Sequence, residues 1–422
     1  MPHAEWTILA YLAGDNDLEG AAIKDVNEME EVGSQEGGAN IVVQIDRAAD
    51  YDRSNDDWRT TRRYYITRGV EPKKITSTLL EDLGDTNTGD PNILKEYIRY
   101  GVEHYPGKRY MLILWNHGSG FYVPPEMLSG SGAPPRREIT LRAAPKLRRS
   151  LFHTARQQIF ALPPRLRGIC YDDRSSDCLD NKELKTVLQE MHQLIGKKVD
   201  VVGMDACLMT MIEVAYQIKD HARVLVGSEE TEPSEGWPYA TILQDLVSTP
   251  GAPAGDLARN IVNRYVESYD TPGPFDQDVT QAALDLEKLD DLVGAIDALA
   301  RALLAKLPSA ELDTAIYGAW KRSTRFYDNF YVDLHNFASA LAQNTTARDV
   351  QRACQAVVNA IEGKGVQTPI LAEKHLGPRM ERVRGISIYF PPFKNPSVFY
   401  KELDFANDTR WGDFLSAYLA EQ

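Results

Sequence analysis

Cysteine is scarce. Cys170, Cys178, Cys207 and Cys354 are all that a chain of 422 residues contains, too few and too scattered for a disulfide framework. Cys170 and Cys178 lack metal-ligand spacing and the eight histidines form no HxxxH or HExxH pattern, which argues against a structural zinc site. No GxSxG nucleophile elbow occurs, so a serine hydrolase of the α/β type has no support. No apolar run approaches the roughly 20 residues a membrane span needs. The amino-terminal "MPHAEWTILAYLAGDNDLEG" lacks the basic flank and apolar core of a signal peptide. These absences lead to the expectation of a cytoplasmic protein with no membrane partner. Positive charge is also in deficit: the formal net charge is −14, which disfavours nucleic-acid binding.

The residues that are present describe an α/β protein. At 43% hydrophobic the chain can bury a large core. Trp6 to Ala13, "NIVVQIDRA" from Asn40, Met111 to Trp115, "RGICYDD", Val199 to Met204 and "ARVLVGSEE" read as strands. Asp17 to Val32, the segment from Pro91, Asp180 to Ile195 and Leu208 to Ile218 read as the helices between them. Several strands are apolar without alternation, as strands covered on both faces are. The alternation predicts a mostly parallel sheet with helices on both faces over residues 1–248. Residues 249–422 change to helical texture, with the long stripe of "LEKLDDLVGAIDALARALLAKL" and further helices near 312–324 and 349–361. They form a mainly helical carboxyl region that returns a strand or two through "RVRGISIYFPP".

Two strand ends carry chemistry. "YMLILWNHGSGF" places His117 at the carboxyl edge of a buried strand, where ligands bind in open α/β sheets. "VDVVGMDACLMTMIEVAYQ" places Cys207 where a strand passes into a helix expected from Leu208, whose positive end favours thiolate over thiol. Asp205 lies two residues earlier, on the same side if strand alternation persists. A Cys and a His on equivalent edges form a candidate nucleophile and base. Between Tyr122 and Arg167 lies a segment with seven prolines and nine Lys or Arg against only Glu126 and Glu138, which reads as an exposed basic loop.

The ordered set "WTILAYLAGDNDLE", "LILWNHGSGF", "VVGMDACLMTMIEVAYQ", "VGSEETEPSEGWPY" and "GISIYFPP" resembles the clostripain family of cysteine peptidases, whose fold is caspase-like. The resemblance implies His117 and Cys207 as a catalytic dyad with no third member. It also implies Gly118 and Cys207 as backbone donors of an oxyanion hole, and Asp205 as the acid that receives a basic P1 side chain. Protein or peptide substrates cut after Arg or Lys follow from it, with Arg ahead of Lys because a carboxylate pairs with a guanidinium through two parallel hydrogen bonds; self-cleavage in the loop 122–167 also follows from it, with Lys146, Arg148 and Arg149 as the candidates. Trp237 in "GWPY" faces either substrate or core. The chemistry requires no cofactor, and calcium enters because some relatives need it. Asp15, Asp17, Asp172, Asp173 and Asp177 offer carboxylates but no EF-hand spacing, and read as solvated turn acids. The alternative function is a catalytically silent caspase-like scaffold or binding protein.

Overall fold

The computed structural model describes residues 4–48, 51–69, 71, 74–121, 168–270, 278–326, 329–391 and 397–420. The basic segment 122–167, with Lys146, Arg148 and Arg149, lies outside them. Strands in chain order are β1 (Ala4–Leu12), β2 (Ala39–Ile45), β3 (Arg62–Tyr65), β4 (Thr78–Asp82), β5 (Gly107–Trp115), β6 (Gly168–Asp172) and β7 (Asp177–Asp180). They continue with β8 (Val199–Asp205), β9 (Ala222–Gly227), β10 (Val279–Asp285), β11 (Arg325–Phe326), β12 (Tyr331–Asp333), β13 (Ile370–Leu376) and β14 (Ser387–Tyr389). The helices are α1 (Glu19–Val32), α2 (Pro91–His104), α3 (Asn181–Ile195), α4 (Ile212–Ile218), α5 (Tyr239–Ser248) and α6 (Ala254–Tyr269). After them come α7 (Leu289–Leu304), α8 (Ala310–Arg322), α9 (Leu334–Asn344), α10 (Arg348–Glu362), α11 (Asp404–Asp408) and α12 (Trp411–Ala420).

Nine strands form one sheet in the order β13-β10-β9-β8-β5-β1-β2-β3-β4. Its five central strands are parallel, and β3 and β10 pair antiparallel with their neighbours on both sides. The expected carboxyl-terminal return is therefore made by β10 and β13. The unalternating runs have a simple cause: successive residues feed two cores. Leu112 and Leu114 of β5 join the core that also holds α2, α3 and the later helices. Met111, Ile113 and Trp115 join the core under α1, α5 and α6. Each such buried side chain contributes about 1.5–3 kcal/mol, so the register Leu114↔Met204 and Trp115↔Asp205 between β5 and β8 is strongly specified. Both cores draw on residues from either side of position 249.

Local chemistry sets the helix ends. Asp90 caps α2 by accepting from the Asn92 N–H, with Pro91 at the first helical position. Asp180 and Glu183 form a reciprocal capping box on α3, which Gly196 closes in the left-handed region.

Three expectations need correction. "RGICYDD" is a strand, but β6 pairs only with β7, in a two-stranded ribbon apart from the main sheet. "GISIYFPP" supplies β14 to a separate three-stranded sheet with β11 and β12. The helix after Cys207 starts at Ile212, not Leu208. Leu208 has a positive φ of 66°, and its N–H donates to the Glu230 carbonyl at 3.2 Å, so long-range pairing holds residues 207–211 out of the helix. Among the described residues no helix is long and apolar enough to cross a membrane.

Candidate active site

Because Trp115 and Asp205 are register partners on adjacent parallel strands, the chain places His117 and Cys207 each two residues beyond a paired position. Both line one cleft with Leu18, Asn116, Asp205, Glu232 and Pro233. The adjoining turn is tight. A Cβ on Gly118 would stand 2.4 Å from the Cys207 carbonyl oxygen, a backbone contact no side chain can relieve, so the approach of the two strand ends requires glycine there. The bridge between Gly118 and Ile169 sends the Ser119 N–H to the Gly168 carbonyl, so the Gly118 N–H stands outside that pairing.

Asn116 explains its place in the triplet. Its Nδ2 donates to the Ala13 and Tyr171 carbonyls, and its Oδ1 accepts from Tyr171 N–H at 3.0 Å and His117 N–H at 2.5 Å. One side chain thus ties the ends of β1, β5 and β6 together. Asn16 repeats the device, donating to the same Ala13 and Tyr171 carbonyls at 2.9 and 2.8 Å. His117 is buried, and its Nε2 lies 2.8 Å from Asp17 Oδ1. Asp17 was legible only as a turn acid, since it lies 100 positions away in the chain; its partnership depends on β1 and β5 being neighbours.

Around Cys207 the correction to the helix start matters. No helix begins at the thiol, so no helix N-terminus favours its thiolate. A backbone group takes that place: the Glu232 N–H donates to Cys207 Sγ at 3.1 Å, putting a donor on the atom that carries negative charge when it attacks. Residues 207–210 run beside 228–232, with Thr210 N–H on the Ser228 carbonyl at 3.0 Å.

Below the thiol is a nest of carboxyls. Asp205 Oδ2 accepts from Tyr239 Oη at 2.7 Å and from Trp237 N–H at 3.2 Å. It caps no helix. Burial pushes its pKa up to about 6, opposed by these donors. Glu232 is raised well above the ordinary carboxyl range, first by burial and then by the charge of Asp205. Asp25 is raised by the same two causes and accepts from Trp115 Nε1 at 2.8 Å. Both Glu232 oxygens and Trp237 Nε1 are buried without a well-aligned hydrogen bond, although the indole is near enough to lower the Glu232 pKa. Gly236, at φ 61°, lies against both Asp205 and Asp25. Trp237 itself is fully buried and packs against Gly203; it is core, not cleft wall. Sequence reading missed Glu232, whose only local signal is its place in an acid-rich turn after β9. The cleft now offers about 30 Å³ to solvent, room for a water or two.

A second acid group lies behind Asp17. One carboxylate oxygen from each of Asp15, Asp46 and Asp172 lies within 4.8 Å of the others. All three are buried, so Asp15 and Asp172 are not solvated turn acids. Burial, then Asp172, raises Asp15 to about 7; burial, with Asp15 and Asp172 adding, raises Asp46 to about 8. Asp172 accepts from Thr88 N–H and Ser175 N–H, and Asp15 has Arg174 Nε at 3.2 Å. Asp46 Oδ2 is buried with no hydrogen-bond partner among the described residues. Of the other expected acids, Asp177 accepts from Asn87 and Asp173 N–H donates to the Asp15 carbonyl.

The comparisons with known proteins concern the family and the fold. The model of the clostripain family matches residues 10–127 and 158–418. Clostripain from Hathewaya histolytica is 26% identical over 347 residues, covering 73% of this chain; the chain spans 58% of that protein's length. A secreted C11 cysteine protease from Bacteroides thetaiotaomicron, solved in complex with an irreversible peptide inhibitor, superposes with a TM-score of 0.60 at 18% identity, over 99% of each chain. An inactive zymogen C11 protease from Parabacteroides distasonis gives 0.64 at 17% identity, over 97% of this chain and 99% of that one. The fold is the one these structures share, and with nearly all of the described sheet and both cleft strands inside the matched residues, the chain belongs to the clostripain family.

Proposed function

We propose that the chain is a cysteine endopeptidase that cuts after basic residues, Arg before Lys, and that it activates itself by cutting within residues 122–167. The observation that carries this reading is the meeting of Cys207, His117, Asp205 and Glu232 in one cleft. The Cys207 thiolate attacks the scissile carbonyl carbon, and the charge that develops on oxygen falls to the Gly118 and Cys207 N–H groups. Collapse breaks the C–N bond while His117 gives its proton to the leaving amine. His117 then takes a proton from water, which attacks the thioester and returns the thiolate. With Nε2 held by Asp17, exchange with sulfur and water falls to Nδ1, and Asp17 acts as a positioning residue for the ring.

The closed cleft suits a latent form. A P1 side chain needs far more room than a water or two, so the turn carrying Pro233, Ser234 and Gly236 must yield before substrate enters. The relative described as an inactive zymogen supports this order of events. Mass spectrometry of the purified chain beside Cys207→Ala tests the whole reading. The wild type should separate into two associated pieces cut after a Lys or Arg between 136 and 167, with Lys146, Arg148 and Arg149 as first candidates, while Cys207→Ala stays whole. Cleavage in both chains would transfer the cut to a contaminant, and an active, uncut wild type would end the self-activation proposal. A scaffold role is the outcome if neither chain ever hydrolyses peptide.

Calcium fits as a structural ion. The hard oxygen set of Asp15, Asp46 and Asp172, with Asp46 Oδ2 unpartnered, suits such a cation, which would neutralise the acids behind the Asp17–His117 contact. No step of the hydrolysis passes through it. The sign of the effect follows from the two raised pKa values. Above pH ~4 the unfolded carboxyls have released their protons, whereas folded Asp15 and Asp46 keep theirs up to about 7 and 8. Stability therefore falls as pH rises through that window, by on the order of a few kcal/mol. A cation binds the charged form, so millimolar calcium should raise the melting temperature by a few degrees at pH 8.5 and hardly at all at pH 5. Asp46→Asn should remove the calcium response and be the more stable chain at pH 8.5 without calcium. A shift that survives in Asp46→Asn places the ion elsewhere.

A further inference from the structure

A cleft of about 600 Å³ opens between the carboxyl end of α8 and the turn after β13. Among the described residues Lys321, Arg322, Arg325, Arg379 and Arg382 line it, against the single carboxylate of Glu381. In a chain of net charge −14 this grouping runs against the average. Lys321 and Arg322 sit in the last turn of α8, where cations complement the helix dipole; that accounts for two of the five charges and leaves three.

Four of the five have no neutralising partner among the described residues. Arg322 donates to the neutral oxygens of Asn344 Oδ1 (3.0 Å) and Gln343 Oε1 (3.1 Å). Arg382 donates to the Arg322 carbonyl at 2.9 Å. Arg325 stands 4.4 Å above the Trp320 ring. These contacts hold the guanidinium forks in place without cancelling their charge, which pre-organises them for carboxylates. Arg379 differs: it pairs with Asp278 at 3.2 Å and with Glu230 at 3.1 Å. That second contact connects the cleft to the active site, because the Glu230 carbonyl receives the N–H of Leu208, next to the thiol, and Glu232 lies two residues on.

We propose that this basic cleft is a second substrate subsite, which takes acidic side chains of the polypeptide several residues away from the bond that Cys207 cuts. The proposal rests on the peptidase reading of Cys207. The Glu230–Arg379 contact places the cleft beside the segment 228–232 that flanks the thiol, and an extended peptide covers about 3.3 Å per residue. Preferred substrates then carry a cluster of Asp or Glu at a fixed distance from the scissile residue. Attraction of this kind acts mainly on encounter and weakens with salt.

The test uses the full-length processed enzyme and three peptides with one shared scissile segment: untailed, with a Glu-rich tail, and with a Gln tail of equal length, tails being placed on each side in turn. On one side, the Glu tail should raise kcat/KM over the Gln tail roughly tenfold at low ionic strength, and the ratio should shrink toward one as salt is raised. In Arg322→Gln/Arg382→Gln the Glu-to-Gln ratio should fall close to one at every salt concentration. Lys321→Gln, at a side chain with no hydrogen bond among the described residues, should lower the ratio in part and serves if the double variant folds poorly. Each ratio is internal to one enzyme, so a general loss of activity does not imitate the effect. Equal rates on the two tails at low salt, or a ratio that survives the double substitution, overturns the subsite. So does inhibition by a single-stranded oligonucleotide from an enzyme indifferent to the Glu tail, which would assign the cleft to nucleic acid. Turnover of the untailed peptide reports the peptidase reading separately.

Discussion

Cys207→Ala should reduce peptide hydrolysis by four or more orders of magnitude, and His117→Ala by a similar factor, with the double substitution hardly worse than either. Groups that act as one unit behave in this non-additive way. The thiol is a half-buried group at the end of β8 with one N–H donor on its sulfur, and His117 sits beyond the end of the neighbouring strand. His117 is buried at the cleft and Cys207 packs half-buried against the core, so both variants should keep the wild-type circular dichroism with only a small loss of melting temperature. Asp17→Asn makes a contrast. It retains a hydrogen-bonding side chain at His117 Nε2 but removes the negative charge, so the expected loss is roughly one to two orders of magnitude in kcat. The loss should fall on kcat with KM little changed, whereas a merely structural role for Asp17 would show as a lowered melting temperature. Substantial turnover in Cys207→Ala would end the peptidase proposal outright, and labelling by an arginyl chloromethyl ketone, lost in Cys207→Ala, gives the same answer from the side of the nucleophile.

The parts of this site that could be read from sequence are those whose signals are local. A five-residue apolar run between Pro106-Gly107 and Gly118-Ser119-Gly120 is a doubly covered strand whichever sheet receives it, and "NHG" and "DAC" at two such ends are enough to nominate His117 and Cys207. The mostly parallel character of the sheet then follows from the βα alternation, which covers both faces with helices. What sequence could not supply is pairing between distant segments. β6 has the composition of a sheet strand, yet a ribbon with β7 takes it, because Asn116 and Asn16 fasten its Tyr171 to the end of β1. The turn after Cys207 reads as helix from its apolar spacing. It is kept open by N–H bonds from Leu208 and Thr210 to Glu230 and Ser228 and by the bridge from Met211 to Ser387. Asp17, Asp46 and Glu232 belong to the same class: each is an ordinary turn acid until the fold brings its partner beside it.

Selectivity at P1 should be steep and should depend on Asp205. Burial raises its pKa to about 6, and Glu232 beside it is raised further and lacks aligned hydrogen bonds. Two buried carboxyls without a cation favour holding a proton between them; a guanidinium that enters can displace that proton and meet the acids with a planar fork. An ammonium brings the same charge with less directional bonding, so Arg should exceed Lys by a modest factor. A neutral or acidic P1 side chain leaves the acids unpaired or repelled, and discrimination against Gln and Asp should reach two to four orders of magnitude in kcat/KM. The pH dependence carries a sign. Asp205 is charged above about 6 and loses that charge as pH falls through it, so kcat/KM for Arg substrates should drop on the acid side near pH 6. In Asp205→Asn that acid limb should flatten, most activity on Arg substrates should vanish, and Cys207 should still react with a small thiol reagent. Matched Arg, Lys, Gln and Asp substrates measured across pH 5–8 decide the matter. An Asp205→Asn enzyme that prefers Arg as strongly as the wild type would move recognition to Glu232, and then Glu232→Gln is the substitution that should abolish it.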